Sequence, residues 1–412
     1  MKIIKKVINN IPVTYIKTDK FKSVAGTLYF KSLTSLEKRT KMVLLRNIMI
    51  NNCKKFDTNE KLNLNCLENY DANYSSSTSF DGNYAALSFS FNVVDDKYLE
   101  EENNEKVIDT FNEIVFNPNV TNKAFDKETF DLCYKRFEES IKRRKEYPAS
   151  YCFDNLKELM DNEKPYSFIP RLDILKKQTP STIYYEYEDL MNNSEVSLYL
   201  VGDFDYEAIA DKITKNIKNS KKFNDDIFIL NDIKNELVEK EEGLNTSESV
   251  LAYGLKCTDL TDFEKFYVMP IYSNILGGGA TSRCFNEIRE NNSLAYYCNS
   301  SYKILSGLLI IYGGIKKDNY KKTKDLMIKL QESMDNVTLN ELDIAKKDII
   351  SYLKQIEDDY NDLISFNYHK DLYNSDDVKT RIKNFEKVSK DNIKKVHQKI
   401  HKDSIFFVRG DK

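Results

Sequence analysis

Residues suited to metal or acid–base chemistry are scarce in this sequence. Only three histidines occur, His369, His397 and His401. His397 and His401 are four residues apart in KKVHQKIHKD, a spacing that places two ligands on one face of a helix. Four lysines flank this pair and repel a divalent cation, and no carboxylate lies between the two histidines. The segment therefore predicts a solvated helix face rather than a metal site.

A second group of unusual residues is a glycine cluster at a predicted helix end. The chain has 12 glycines, and Gly277, Gly278 and Gly279 directly follow the helical periodicity of residues 263–276. A phosphate-binding loop is disfavoured, because no GxxxxGKS or GxxxxGKT pattern is present and the glycines follow a helix rather than a strand. The cluster predicts a helix stop where the backbone takes positive φ or another segment approaches closely.

The residues after these glycines carry a family resemblance. Residues 275–302 read ILGGGATSRCFNEIRENNSLAYYCNSSY, a glycine-rich turn, a short helix ending in an Arg, and a Leu-Ala-Tyr strand. This order resembles the C-terminal signature of the insulinase-like family (M16, pitrilysin and mitochondrial processing peptidase), in which the Arg and the Tyr seven residues later contact the substrate carbonyl. The resemblance implies substrate binding by Arg289, Tyr296 and the turn Gly277–Gly279. A guanidinium and a phenol are donors suited to a developing oxyanion.

The metal-binding motif of this family is missing. Active members hold zinc through HxxEH on a helix of the first domain; the matching helix here is MVLLRNIMINN, where Val43, Arg46 and Asn47 replace the first His, the Glu and the second His. Glu138 and Glu139 lie near the expected third ligand, yet a carboxylate alone cannot complete a tetrahedral zinc site. The resemblance therefore implies no cofactor and no peptidase activity in this chain by itself, with zinc expected only in a partner.

Strand and helix patterns alternate in two rounds, which predicts an α+β fold. The strand–turn–helix pattern of residues 26–38 recurs at 252–265, which indicates two homologous domains, each an antiparallel-rich sheet packed with helices. The predicted boundaries are 1–220 for the first domain, 221–245 for a polar linker, and 246–412 for the second domain. An edge strand at FILNDI is the alternative for part of the linker. Strands are predicted at 24–30, 84–94, 196–200, 250–255, 307–312 and 404–408, and helices at 41–51, 104–116, 127–145, 263–276, 320–334 and 339–358.

Composition narrows the class of protein. The 412 residues include 62 Lys+Arg and 65 Asp+Glu, a net charge of −3 that disfavours nucleic-acid binding through bulk electrostatics. No apolar run approaches the ~18–20 residues that span a bilayer, and the N-terminus lacks a signal-peptide pattern. Seven cysteines without a CxxC pair predict free, mostly buried thiols. We therefore expect a cytoplasmic protein with no nucleic-acid or membrane partner, and the Lys/Asn/Ile-rich composition suits a bacterial source.

Insulinase-like chains of this size with few histidines resemble the non-catalytic subunits of bacterial two-subunit peptidases. That likeness implies half of a clamshell, which pairs with a zinc-bearing M16 homologue as a heterodimer and holds an unstructured peptide for cleavage. The peptide is expected to add as a strand to the sheet edge ANYSSSTSF (72–80), although an ordinary polar strand fits that stretch equally well. The rival hypothesis is a scaffold subunit without a role in proteolysis, in which Arg289 and Tyr296 merely persist from an ancestor. The structural alternative for the two residues is that Arg289 pairs with Glu287 or Glu290 at a helix end and Tyr296 lies in the core.

Overall fold

Two β-sheets carry the fold in the computed structural model, which describes residues 1–224 and 226–412. The strands in the first half of the chain are β1 (Lys2–Ile8), β2 (Ile11–Lys17), β3 (Ser23–Leu33), β4 (Asn73–Asp81), β5 (Tyr84–Val94), β6 (Val120–Thr121), β7 (Ala124–Phe125) and β8 (Glu195–Gly202). The first sheet has the order β1-β2-β8-β3-β5-β4, while β6 and β7 form a separate two-stranded ladder. Within the six-stranded sheet, β2 and β8 are parallel and the other neighbouring pairs are antiparallel.

The second sheet is built from the later part of the chain. Its strands are β9 (Val238–Leu244), β10 (Ser249–Cys257), β11 (Ala295–Lys303), β12 (Leu308–Ile315) and β13 (Ile400–Gly410). They lie in the order β11-β12-β10-β13-β9, and the β13–β9 pair is parallel whereas the others are antiparallel. Both sheets are therefore rich in antiparallel pairs, and the predicted α+β fold class is confirmed.

The helices include each one that the periodicity predicts, with ends that differ by a few residues. Thr179 and Ser389 form reciprocal capping hydrogen bonds at two helix starts. Segments with π-helical hydrogen bonding cover Glu264–Val268, Asn274–Gly278 and Phe285–Asn291. The α-helices are α1 (Leu36–Met49), α2 (Asn59–Glu68), α3 (Asn104–Phe116), α4 (Lys127–Lys142), α5 (Pro148–Met160), α6 (Leu172–Leu175), α7 (Pro180–Asn193), α8 (Tyr206–Thr214), α9 (Met269–Ser273), α10 (Tyr320–Glu332), α11 (Leu339–Gln355), α12 (Tyr360–Leu372), α13 (Val378–Lys387) and α14 (Lys390–His397).

The chain forms two compact units, and neither unit is one continuous stretch of sequence. Unit 1 comprises Met1–Ile141, Ile169–Asp225 and Ile356–Ser375, and unit 2 comprises Lys142–Phe168, Asp226–Gln355 and Asp376–Lys412. Thus α5, from the predicted first domain (1–220), belongs to unit 2, while α12, from the predicted second domain (246–412), belongs to unit 1. The predicted linker (221–245) contains β9, an edge strand of the second sheet, whereas FILNDI forms no strand.

In unit 1, α12 packs on the face of the first sheet opposite the main core. Side chains alternate along β3, so Leu28 and Phe30 enter the core while Tyr29 points to the other face. The Tyr29 ring stacks on Tyr368 of α12 with centroids 3.8 Å apart. The Tyr199 hydroxyl of β8 donates a hydrogen bond to Asp371 at 3.1 Å. An aromatic and hydrogen-bonded contact therefore fixes α12 to this sheet.

In unit 2, α5 has the equivalent role on the second sheet. Its buried residues Cys152, Leu156 and Met160 join one apolar cluster with residues of β10, β12 and β13. Gly254 of β10 leaves room for this helix, because an added Cβ would lie 2.5 Å from the Met160 sulfur. The amphipathic pattern of α5 predicts a buried face, but it does not specify which sheet that face covers.

A buried ion pair between β10 and β13 lies against the C-terminus of α5. The side chains of Lys256 on β10 and Asp403 on β13 are 2% and 1% exposed, and Lys256 Nζ lies 3.1 Å from Asp403 Oδ2. Lys256 also donates to the Asp232 carbonyl at 3.0 Å and the Met160 carbonyl at 3.4 Å. Lys234 donates to the Leu159 carbonyl at 2.7 Å and lies 3.3 Å from Asp403. The two lysines thus occupy carbonyls that the C-terminus of α5 leaves without helical partners.

Replacing one partner of this pair should destabilise the protein strongly. Asp403→Ala leaves the Lys256 ammonium buried without its counter-charge, which typically costs about 3–5 kcal/mol. The control is Asp262→Ala, which removes a 3.6 Å pair to Lys265 in which the aspartate side chain is 84% exposed and should cost under about 1 kcal/mol. Urea unfolding followed by circular dichroism measures both. Equal small losses for the two variants would contradict the assigned role of the buried pair.

Candidate functional site

The glycine cluster ends a helical segment that packs tightly against β11. An added Cβ at Gly277 would lie 2.7 Å from the Asn299 carbonyl carbon and closer still to the Ser300 amide nitrogen. Ser300 Oγ donates to the Ser273 carbonyl at 2.6 Å and lies 2.9 Å from Ser273 Oγ. The helical segment ends at Gly278, and Gly279 is extended with φ −91°. The predicted helix stop and close approach are therefore both present, whereas none of the three glycines has a positive φ.

Arg289 lies on the helical segment Phe285–Asn291, and its side chain is about half exposed. Its Nε is 3.4 Å from Glu290 Oε1, and its guanidinium carbon is 4.9 Å from the centre of the Phe285 ring. The structural alternative of pairing with Glu290 is therefore observed. Such an exposed ion pair contributes only about 0–1 kcal/mol, so it does not fix the guanidinium strongly.

Tyr296 lies near the start of β11, at the edge of the second sheet. The pairing of β11 with β12 shifts register between Ala295 and Tyr297, so Tyr296 lies in a bulge. Bulges turn a side chain away from the regular alternation of a strand. Tyr296 is 62% exposed, so the alternative that placed it in the core is wrong.

Buried side chains and hydrogen bonds fix the turn between Arg289 and Tyr296. Ile288 and Leu294 are buried on either side of it, and the Leu294 amide donates to the Ile288 carbonyl at 2.9 Å. Asn319 Nδ2 donates to the Leu294 carbonyl at 3.1 Å. Both predicted donors thus project from one anchored helix–turn–strand segment in unit 2. No hydrogen bond joins the two side chains to each other within the described residues.

The position of the family's zinc motif is occupied by an internal hydrogen-bonded pair. Arg46 donates to Asn47 Oδ1 from Nη2 at 2.7 Å and from Nε at 3.2 Å. Val43 is half-buried and packs against the core of unit 1. Burial lowers the pKa of the Arg46 guanidinium from its usual value. A cationic side chain and an amide whose oxygen is already engaged do not fit a zinc ion.

The helix expected to supply a third ligand packs on α1 through a residue that sequence reasoning missed. Cys133 of α4 donates to the Asn47 carbonyl, with Sγ 3.4 Å away, and accepts from Asn51 Nδ2 at 3.4 Å. Burial raises the pKa of this thiol to about 11, so it is protonated at neutral pH. Glu138 is half-buried and Glu139 is exposed further along α4. The spacing of the buried Phe130, Cys133 and Phe137 is the signal that identifies the contacting face.

The C-terminal histidines do not share a helix face, so that prediction is wrong. His397 ends α14, whereas His401 is the second residue of β13. His397 Nδ1 lies 3.0 Å from the Tyr272 hydroxyl, and His401 Nε2 lies 3.1 Å from Thr258 Oγ1. Across residues 1–224 and 226–412, no group of three His, Cys, Asp or Glu side chains is arranged to hold a metal ion.

The predicted peptide-binding edge is an edge strand of the first sheet. β4 (Asn73–Asp81) pairs with β5 alone among the described strands. Its residues alternate between exposed and half-buried from Asn73 to Thr78, with serines on both faces. Small hydroxyl side chains at a free edge leave backbone groups accessible to a guest strand. Addition of a peptide at this edge stays a prediction.

Parts of this chain match a family model, and the chain is similar to proteins of known sequence. A family model described as "Peptidase M16 inactive domain" matches residues 179–349. The chain is 25% identical over 408 residues to a "probable inactive metalloprotease YmfF" of Bacillus subtilis (strain 168), covering 96% of this chain and 95% of that protein. It is also 30% identical over 144 residues to an "uncharacterized zinc protease YmxG" of the same organism, a match that covers 33% of each chain.

The fold has a close counterpart among solved structures. The crystal structure of a conserved protein from Enterococcus faecalis V583 superposes with a TM-score of 0.90 at 22% identity and covers 99% of both chains. The resemblance found in residues 275–302 is thus confirmed over nearly the whole chain. Within the described residues, no helix is long and apolar enough to cross a membrane.

Two adjacent glycine substitutions should have opposite effects on stability. Gly277→Ala places a methyl group against the backbone of β11, and such overpacking typically costs about 1–3 kcal/mol. Gly278→Ala meets its nearest atom, the Ser273 carbonyl oxygen, at 3.4 Å and should be neutral or stabilising by up to ~1 kcal/mol. Thermal melting of the two variants measures the difference, and equal melting temperatures would contradict the close packing.

The purified chain should contain no stoichiometric zinc, because the Arg46 guanidinium is hydrogen-bonded to the Asn47 side-chain oxygen. Elemental analysis after purification without chelators measures this directly. The matched gain-of-function variant is V43H/R46E/N47H/C133E, which restores the two histidines, the glutamate and a carboxylate facing residue 47; it should take up one zinc per chain. A tightly bound zinc in the wild-type chain would overturn the assignment.

Proposed function

We propose that this chain, an insulinase-like homologue of the inactive M16 type, is the substrate-binding subunit of a heterodimeric zinc peptidase. The chain itself does not cleave peptides. It holds an unstructured peptide for cleavage by a partner that carries the HxxEH motif. The observation that carries the proposal is the contrast between the two units: Arg46 and Asn47 fill the metal position in one, whereas Arg289 and Tyr296 stay exposed in the other.

The contacts around Arg289 and Tyr296 support a binding role. The segment that bears them is anchored by buried apolar residues and backbone hydrogen bonds, while both side chains are left to solvent. Fixed donors on a rigid support lose little entropy when they bind a carbonyl oxygen, and they gain most as charge develops on it. A guanidinium also remains charged at any physiological pH.

In the proposed complex, this chain's contribution is to bind and orient. Arg289 and Tyr296 donate hydrogen bonds to the carbonyl of the peptide bond that is cleaved. The partner's zinc supplies the Lewis acid and the activated water. The edge strand β4 offers backbone groups for peptide addition with little demand on sequence, and its serines accommodate varied side chains.

The kind of partner follows from the relatives. In Bacillus subtilis, one relative is described as a "probable inactive metalloprotease" and another as an "uncharacterized zinc protease". A zinc-bearing M16 homologue encoded in the same genome is therefore the partner we propose. All seven cysteines are free, and six of them are buried, which suits a reducing, cytoplasmic location in a bacterium.

The second candidate function is a scaffold subunit without a role in proteolysis. The contacts of Arg289 with Glu290 and Phe285 favour it, because they give the arginine a local structural partner. In that case the exposed Tyr296 is not used. The two candidates differ in one measurable quantity, the turnover of the assembled complex when these side chains are removed.

Assembly is the first test. Co-expression with a zinc-bearing M16 homologue from the same genome should give a 1:1 species on size-exclusion chromatography with light scattering. The pair should cleave an unstructured peptide, and each chain alone should not. Persistent separation of the two chains at micromolar concentration would contradict the heterodimer.

Removing either donor should lower turnover without affecting assembly. Arg289→Ala or Tyr296→Phe in the reconstituted pair should lower kcat by ~10²–10³-fold, the usual effect of losing one oxyanion donor. Tyr352→Phe is the matched tyrosine control, because both tyrosines are 62% exposed. Arg409→Ala is the arginine control, since its side chain is 44% exposed against 47% for Arg289.

These kinetics should be measured together with melting temperatures of the same heterodimers. Both controls should retain wild-type kcat. Wild-type turnover from Arg289→Ala and Tyr296→Phe, with any loss confined to melting temperature, would exclude the substrate-binding role and favour the scaffold.

A further inference from the structure

Six exposed lysines lie on two consecutive helices near the end of the chain. We call them the lysine face. Over residues 378–397, seven Lys or Arg stand against two Asp or Glu, in a chain whose net charge is −3. On α13 and α14, the members of the lysine face are Lys379, Lys383, Lys387, Lys390, Lys394 and Lys395.

Helical spacing brings lysines of the same helix close to one another. Three of them follow an i, i+4, i+8 row on α13, and Lys390 and Lys394 are four residues apart on α14. Like charges at this spacing destabilise a helix by ~0.2–0.5 kcal/mol per pair. Among the described residues, no carboxylate lies within 4.0 Å of any lysine of the face. Lys387 donates only to the neutral amide of Asn384, at 3.0 Å.

Three lysines elsewhere in the chain are neutralised at the same spacing. Lys41 pairs with Glu37 at 2.6 Å, and Lys61 with Asp57 at 2.7 Å. Lys127 pairs with Asp131, also at 2.7 Å. Other helical lysines, such as Lys346 and Lys347 of α11, also have no carboxylate within 4.0 Å, so the lysine face is distinguished by the number of such lysines on two consecutive helices.

The surroundings of the lysine face restrict the kind of partner that neutralises its charge. Phe385, Ile393 and Val396 of α13 and α14 are buried, Val378 and Ile382 are half-buried, and no large apolar side chain is exposed between residues 378 and 397. Stable protein interfaces need a buried apolar or aromatic centre and are depleted in lysine. An anionic bilayer attracts each basic side chain near its surface by about 1 kcal/mol, and groups of about 4–8 Lys or Arg are typical of segments that bind it.

We propose that the lysine face binds the surface of an anionic lipid bilayer, with the chain lying on the membrane rather than entering it. The expectation of no membrane partner rested on the lack of an apolar span and of a signal-peptide pattern. Neither property describes a local group of lysines. Binding is electrostatic, since α13 and α14 have no free apolar face to insert.

Vesicle sedimentation of the full chain tests the proposal. Vesicles of phosphatidylcholine with about 30% phosphatidylglycerol should bind the chain at least ~10-fold more tightly than phosphatidylcholine alone, and ~0.5 M salt should abolish the difference. The K383Q/K387Q/K390Q/K394Q variant should bind ~100-fold more weakly. The control variant K6Q/K61Q/K106Q/K127Q makes the same change in net charge at dispersed lysines that have carboxylate partners, and it should bind like wild type.

Each contrary result is decisive. Equal binding to the two kinds of vesicle, or equal loss in the two quadruple variants, would overturn the proposal. Tighter binding to polyglutamate or to duplex DNA than to anionic vesicles would replace the bilayer with another polyanion. Circular dichroism verifies folding; if the quadruple variant does not fold, K383Q/K390Q should still weaken vesicle binding by ~10-fold, and wild-type binding by that double variant would also overturn the proposal.

Discussion

Strands buried on both faces impose the main constraint on this fold. All nine residues of β10 are buried, and β3 is buried along most of its length. A strand of this kind needs apolar cover above and below the sheet. In each unit, a helix from the other half of the sequence, α5 or α12, packs on one of its sheets. The ion pair of Lys256 and Asp403 is tied to this enclosure, because an ammonium on a fully covered strand has to be neutralised where it lies.

The parts of the structure that depend on local pattern were predictable from the sequence. Alternation identified β5, and helical periodicity identified α3, because each pattern reports directly which face is buried. The assignment of α5 to unit 2 and of α12 to unit 1 was not predictable, since an apolar helix face carries no information about which sheet it covers. β9 was missed because VEKEEGL is too charged to read as a strand; its glutamates pair with Lys145, Lys324 and Arg409.

In the candidate site, too, sequence motifs identified residues, whereas the contacts of those residues depend on tertiary packing. The order of residues 275–302 identified Arg289 and Tyr296, and the structure places both on an anchored segment. Tyr296 lies in a bulge of β11 that no local pattern predicted. At the degenerate metal position, Val43, Arg46 and Asn47 were identified by alignment with a motif, whereas the contact of Cys133 with Asn47 arises from the packing of two helices. The helix periodicity of KKVHQKIHKD failed because the chain changes from helix to strand between the two histidines.

Because α5 belongs to unit 2 and α12 belongs to unit 1, the order of synthesis also governs when the protein is able to fold. The first unit includes Ile356–Ser375, so Tyr29 and Tyr199 stay without their helix until that late segment has left the ribosome. Many multidomain proteins fold from the N-terminus, one domain after another, as translation proceeds. That order does not suit this chain, because its first-made sheet waits for α12, which is made after most of the second sheet. Unit 1 is therefore complete only after residue 375 and the second sheet only after β13 (Ile400–Gly410), so the two are completed within a short stretch of synthesis.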